Sequence, residues 1–489
     1  MTGGGGTFAP ERRLLTIGLI GLVTAGAFEG MAVPTVLPAL VSDLGGLDLY
    51  GWAFSAFWLT NIIGITLAGS DADRRGPGRA LGIGVVLFAV GMVVSGLASD
   101  MSGVIAGRAI QGFGSGAIGS VVYASIARAY PPSATPRMIA LISSAWIVPG
   151  LVGPALAGWV TEAIGWRWVF LGIVGPVLLM GLAVYPQLVR LGPAQRSSVP
   201  VRSDARRGFD ALRLALGSTL LLASLTVGSV GIPLVALEVP RLVVALVLAG
   251  AGGTLALTAV RHLVPAGTLT LRRGRPSTFA GIFAIAFAFF GTEAFVPLTV
   301  VEVRGGSVIF GGLALSAAAV TWSTGSWLQA RAAGAGTRRS LVVIGASLIG
   351  AGIAITALVL LPALPVLVAA VGWTVAGLGM GLAYSMLSLL VLETASAGEE
   401  GFSSAGLQLM FTLGTAFGAG AGGAIVAVAD SGALTLAEAI GVIDGVMFAV
   451  AMLAVLVAVR VPRRPPERAA ASLAANQQAP VSGGVLPVR

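Results

Sequence analysis

The sequence contains no cysteine, no lysine and a single histidine, His262. Without cysteine there is no disulfide framework and no thiolate nucleophile, and the composition carries no sign of a redox compartment. One histidine and no thiolate also exclude a zinc or iron site of ordinary type. Without lysine there is no Walker phosphate loop, because that motif needs the lysine that reaches the phosphates. This argues against ATP hydrolysis. Charge of either sign is scarce: 10% of the 489 residues are charged, 56% are apolar, and the mean hydropathy is +0.95. A soluble chain is typically about 25% charged. The deficit excludes a soluble enzyme, a disordered chain and a nucleic-acid-binding domain. Most of this chain is expected to have lipid as its solvent.

What remains is apolar runs long enough to cross a bilayer, which takes about 20 residues as a helix. A first group of six runs over Leu14–Leu37, Trp52–Ala68, Ala80–Ala98, Val104–Ala129, Met138–Val160 and Trp168–Val189. Two more follow at Leu212–Val230 and Arg241–Val260, then a last six at Phe279–Val301, Ile309–Ala330, Leu341–Leu361, Val366–Val391, Ser404–Val428 and Ala439–Val459. The expected fold is an all-α polytopic membrane protein with fourteen transmembrane helices: two six-helix bundles plus two linker helices. Its parts are a cytoplasmic N-terminus (1–13), an N-terminal bundle (14–189), a cytoplasmic linker (190–211) and the two extra helices (212–260). A cytoplasmic loop (261–278), a C-terminal bundle (279–460) and a disordered cytoplasmic tail (461–489) complete it. The Gly-rich stretch 1–10 is not expected to be a signal peptide, since no cleavage-like site precedes the first span.

The net charge of +9 and the pI near 11.1 read as topology. Of the 29 arginines, 25 fall in segments on one side of this layout and only Arg167, Arg241 and Arg304 on the other, with Arg108 inside a span. The arginine-rich side is cytoplasmic by the positive-inside rule, which places both termini there.

The first and ninth spans echo each other. Ala27-Phe28-Glu29-Gly30-Met31-Ala32-Val33-Pro34 and Gly291-Thr292-Glu293-Ala294-Phe295-Val296-Pro297 each set a carboxylate mid-span with a proline about one turn later. Both spans run the same way, so the groups read as parallel repeats with a site between them. Intramembrane carboxylates mark ion or proton pathways. Apolar surroundings disfavour the charged form of a carboxylic acid, which lets such a group exchange a proton near neutral pH. Glu29, followed by Pro34, is expected to be the principal proton site and Glu293 its companion; the alternative for each is a protonated structural residue. Glu393 and Asp444 lie nearer span ends and read as snorkelling or capping groups, and His262 as a solvated loop residue.

Three further stretches carry signals. Gly69-Ser70-Asp71-Ala72-Asp73-Arg74-Arg75-Gly76-Pro77-Gly78-Arg79 joins the second and third spans and can make charge-assisted bonds to helix ends that form in one bundle arrangement and break in another. The fourth span contains Arg108-Ala109-Ile110-Gln111-Gly112-Phe113-Gly114, and an arginine at that depth, costing about 2.5–3.5 kcal/mol, needs a partner or a watery cavity. Its Gly114–Gly119 stretch also matches a dinucleotide pattern, but it has no preceding strand and lies inside a lipid-length helix. The fifth span contains Pro149-Gly150-Leu151-Val152-Gly153-Pro154-Ala155-Leu156-Ala157-Gly158, a small-residue face for close helix packing with a proline that loosens the helix.

At these residues the chain resembles the major facilitator superfamily, and specifically its fourteen-helix drug:proton antiporter type. Gly69, Asp73, Arg74, Gly76 and Arg79 resemble the superfamily's loop signature, and Arg108, Gln111, Gly112 and Gly114 its fourth-helix signature. Gly150, Gly153, Pro154 and Gly158 resemble the antiporter signature of the fifth helix, and Gly165–Phe170 the opening of the sixth. Asp71 stands where the loop signature usually has an apolar residue, and Glu29 where many such exporters carry aspartate. The resemblance implies multidrug-efflux-like export of hydrophobic or amphipathic small molecules, coupled to protons, by alternating access in the plasma membrane. Glu29, Glu293 and Arg108 would line the cavity, with Arg108 biasing the carboxylates or relaying the proton. The partners implied are the substrate, protons and the lipid bilayer, with no nucleic acid, metal or cofactor, and the chain is not expected to be an enzyme. Rival readings are export of lipid-like molecules, proton-coupled uptake and a non-transporting membrane scaffold.

Overall fold

Lipid offers no hydrogen bonds to the backbone, so a chain this apolar satisfies its peptide groups within helices. The computed structural model describes residues 7–131, 134–192, 204–229, 241–332, 338–395 and 400–462, and among these there is no strand. The helices are α1 (Arg13–Leu44), α2 (Tyr50–Arg75), α3 (Pro77–Gly96), α4 (Met101–Ala129), α5 (Thr135–Ser144), α6 (Ile147–Ile164) and α7 (Arg167–Arg190). There follow α8 (Asp204–Ser229), α9 (Arg241–Leu263), α10 (Arg275–Glu293), α11 (Val296–Leu298), α12 (Val308–Ala332), α13 (Arg338–Ala357), α14 (Leu367–Glu393), α15 (Glu400–Asp430) and α16 (Leu436–Ala458). Among the described residues, 13 helical stretches are long and apolar enough to cross a membrane. The expected fourth span, α4, is 29 residues long but outside that set. It carries Arg108, Gln111, Arg128 and a series of glycines and serines, which lower its hydropathy. Of the tail that reads as disordered (461–489), residues 463–489 lie outside the described residues, as does 193–203 of the linker.

Three expected elements take a different form. The loop between the second and third spans is almost entirely helical: α2 continues to Arg75, and the turn is the single residue Gly76 at φ 97°, a left-handed conformation open to glycine. The fifth span, expected as one run Met138–Val160 loosened at Pro154, divides instead into α5 and α6 at Ala145–Trp146. Pro149 has no N–H to donate to the Ala145 carbonyl, so the ladder fails there. The two echoing prolines also act differently. α1 runs through Pro34 and Pro38 without interruption, whereas α10 ends at Glu293 and resumes as α11 and a π-helical turn, Thr299–Val303.

α1–α7 pack among themselves, chiefly α2 and α3 on α4 and α7 on α1 and α3; α10–α16 do the same, with α14 against α12 and α13 and α10 against α15 and α16. The halves meet along α6–α12 and α2–α15, and the α8–α9 hairpin rests on both α2 and α15. Glycines bring the halves together toward the end of the bundle remote from Arg13, here the distal end: Gly51 against Gly423, Gly158 against Ile309, and Gly312 against Pro154.

Candidate functional site

α4 sets Arg108 and Gln111 three residues apart, hence on one face. That face meets α1 and α2 because glycines let the backbones approach. A Cβ at Gly112 would strike the Phe57 carbonyl and Thr60 hydroxyl of α2, and one at Gly114 the backbone of Gly84 and Phe88 on α3. In the contact so formed, Arg108 is 2% and Glu29 1% exposed, and Arg108 Nη1 donates to Glu29 Oε1. The same Nη1 donates to Gln111 Oε1 at 2.8 Å, Nε donates to the Ala53 carbonyl at 3.0 Å, and the guanidinium lies 4.2 Å from the Phe57 ring centre. Glu29 Oε2 and Gln111 Nε2 are buried without a hydrogen bond. A buried charge without a partner is costly, so each member of this pair requires the other. Protonating Glu29 would leave the Arg108 charge with neutral acceptors only.

Glu293 stands elsewhere. It is 8% exposed at the last position of α10 and is in no ion pair among the described residues. It lines a cavity of about 20 Å³ between the halves, with Gly30 and Pro34 of α1, Phe54 and Trp58 of α2, Phe290 of α10 and Thr415 of α15. That is room for about one water. Trp373 of α14 lies beside Glu293. Its buried indole Nε1 is the polar group beside the carboxylate, and its ring stacks on Phe289 at 4.7 Å. The structure therefore separates the two carboxylates: Glu29 turns toward Arg108, and Glu293 turns to the cavity.

The loop signature sits at the end near Arg13. Asp71 approaches Arg75 at 3.4 Å and Arg79 at 3.9 Å, linking α2 to α3. Asp71, Arg74, Arg75 and Arg79 line a cleft of about 290 Å³ whose other walls include Leu67, Ile83 and Phe113. Gly69 faces Ser120, and Gly76 abuts Gly192. Asp73 and Arg74 lie on the exposed last turn of α2. The fifth-helix residues form a seam: Gly158 and Pro154 meet α12, Gly150 lies near Ala319, and Gly153 lies near Phe28 of α1.

Several residues that join the halves carry no mark in the sequence. Tyr50 donates to the Ala294 carbonyl at 3.0 Å, Ser55 donates to the Ala416 carbonyl at 2.8 Å, and Glu162 accepts from the Ile309 N–H at 3.1 Å; all three bonds cross between halves. No local pattern distinguishes them. Glu393, expected to snorkel, is paired with Arg338. His262 is half-exposed with Nδ1 3.4 Å from Asp210 Oδ2 across the α8–α9 hairpin. Asp444 is 5% exposed, eight residues into α16 and away from its end.

Comparison with known proteins agrees with this architecture. The sequence pattern of the Major Facilitator Superfamily matches residues 18–370. An uncharacterized MFS-type transporter of Mycobacterium tuberculosis is 28% identical over 441 residues, covering 86% of this chain. The chain spans 61% of the length of that relative. The multidrug transporter protein MdtP of Bacillus subtilis is 24% identical over 427 residues, covering 87% of this chain and 77% of its own length. A probable multidrug-efflux transporter of M. tuberculosis is 25% identical over 438 residues, with coverage of 87% and 90%. Among solved structures, a D-xylose–proton symporter superposes with a TM-score of 0.61 at 16% identity over 92% of this chain and 98% of its own. A bacterial homologue of the human lysosomal transporter Spinster gives 0.59 at 17%, over 92% and 96%. The multi-pass helical architecture and the match over most of the sequence lead to one conclusion: this chain belongs to the major facilitator superfamily.

Proposed function

We propose that this protein is a proton-coupled exporter of hydrophobic or amphipathic small molecules, working by alternating access with both termini in the cytoplasm. The observation that carries the reading is Glu293: a carboxylate with no cationic partner among the described residues, facing a cavity between the two halves. Aromatic and apolar groups, Pro34, Phe54, Trp58, Phe290 and Ala294, form most of the rest of that lining. Such walls suit an apolar substrate, and a lone carboxylate suits a proton that competes with it. The Glu29–Arg108 pair supplies a second, buried charge whose neutralisation would loosen the packing of α1 against α4. The names of the multidrug relatives support efflux as the direction of transport. The fifth-helix signature, placed at the α6–α12 seam, fits a part that slides as the halves rock.

The test is export from reconstituted vesicles. An imposed pH gradient should drive a lipophilic dye out of the compartment facing the termini, and Glu293→Gln should abolish the dependence on that gradient. Transport of dye at the same rate with and without the gradient would dismiss proton coupling. Transport of labelled lipid in place of dye would move the reading to lipid export.

A further inference from the structure

The helix break after Glu293 is held by a residue of the opposite half. Tyr50, at the first position of α2, is fully buried, and its hydroxyl donates to the Ala294 carbonyl at 3.0 Å. Its ring lies 5.4 Å from that of Phe295. The segment it grips is already irregular. Phe295 N donates to Thr292 O at 2.9 Å, one residue short of helical spacing, and Pro297 has no N–H to offer the Glu293 carbonyl. Next to Tyr50, Gly51 lies on Gly423 of α15. The Tyr50 bond to Ala294 and the contact of Gly51 with Gly423 thus join the halves on the distal side of Glu293.

We propose that Tyr50 is the positioning residue that links closure of the distal gate to the protonation of Glu293; this rests on the reading of Glu293 given above. Opening the distal end separates α2 from α10 and α15, so it breaks the Tyr50–Ala294 bond and admits water to Glu293. Closing it dehydrates the carboxylate, a cost that falls on the charged form and not on the protonated one. The closed state therefore prevails at low pH and gives way as pH rises. The other titratable groups nearby are Glu29 with Arg108 across the cavity, Glu302 on the π-helical turn near Tyr50, Asp48 just before Tyr50 with Asp430 of α15 facing it, and Asp444 on α16, which packs on α10. α14 presents Trp373 and α15 presents Thr415, neither of which titrates.

One neutral hydrogen bond weights such an equilibrium by about fivefold. Tyr50→Phe keeps the ring and removes only the hydroxyl. It should weaken closure by about fivefold and so lower the pH of half-opening by about 0.7 unit for a single linked proton. The chain has no native cysteine, so spin labels can be placed singly on exposed Ser102→Cys and Ser431→Cys, one on each half at the distal end. Pulsed distance measurements in liposomes across a pH series then count closed and open populations. In the parent, the short distance should give way to the long one as pH rises. Tyr50→Phe should move that midpoint down, and Glu293→Gln should make the populations independent of pH. If Tyr50→Phe leaves the midpoint in place while Glu293→Gln abolishes the pH dependence, the role of Tyr50 is refuted and that of Glu293 stands. If Glu293→Gln retains the parent's pH dependence, Glu293 is not the linked group and both readings fail.

Discussion

Removing Glu29 alone should damage the fold more than removing Glu29 and Arg108 together. Arg108 is 2% exposed, and in Glu29→Gln it would keep Gln111 Oε1 at 2.8 Å and the Ala53 carbonyl at 3.0 Å but lose the only countercharge that the described residues give it. Breaking a buried pair from one side costs about 3–5 kcal/mol, because it strands an uncompensated charge. The remaining acceptors and the Phe57 face place Glu29→Gln at the lower end, about 3 kcal/mol. Arg108→Gln strands the carboxylate instead, but Glu29 can take up a proton, so its cost should be smaller, about 2 kcal/mol. Glu29→Gln with Arg108→Gln removes both charges and should cost less than Glu29→Gln alone. The coupling in the double-mutant cycle would then be at least about 2 kcal/mol. Unfolding of the detergent-solubilised protein in a denaturing-detergent titration, followed by tryptophan fluorescence, provides the free energies. Two single substitutions that each cost under about 1 kcal/mol and simply add would refute the argument. In that case Glu29 would be a neutral carboxylic acid and Arg108 would be stabilised by its neutral acceptors alone.

Three further outcomes are expected. Glu293→Gln should flatten the pH dependence of dye efflux while leaving thermal stability within about 1 kcal/mol of the parent, since no charged partner is stranded; a large loss of stability would make Glu293 structural. Gly112→Leu should destabilise by about 1–3 kcal/mol and abolish transport, because the added side chain runs into the Phe57 carbonyl and drives α2 from α4; a stable, active variant would mean that the helices have room to separate. Asp71→Asn removes the carboxylate shared by Arg75 and Arg79 and should slow turnover with little change in substrate affinity. Asp73→Asn leaves that shared carboxylate in place and should do less, and the reverse order in initial-rate measurements would return the latch to Asp73.

Much of this protein follows from composition. Scarcity of charge and long apolar runs leave the backbone no solvent to bond with, so helices of membrane length are forced, and their approximate ends can be read from arginine, glycine and proline. Glu29, Arg108 and Glu293 also announce themselves in the sequence, because an ionisable group at that depth costs energy that needs a reason. Partnership is not legible in the same way. Glu29 and Glu293 occupy similar phrases followed by similar prolines, yet α1 continues through Pro34 while α10 breaks before Pro297. One carboxylate is held by Arg108, and the other is left at the cavity. That difference is made by which glycines of α4 admit α2, and by what α14 and α15 place beside the break. Tyr50 shows the same limit most plainly. As the opening residue of an apolar span it has no local pattern to mark it, and only the packing of two halves 244 residues apart in sequence gives its hydroxyl a carbonyl to hold.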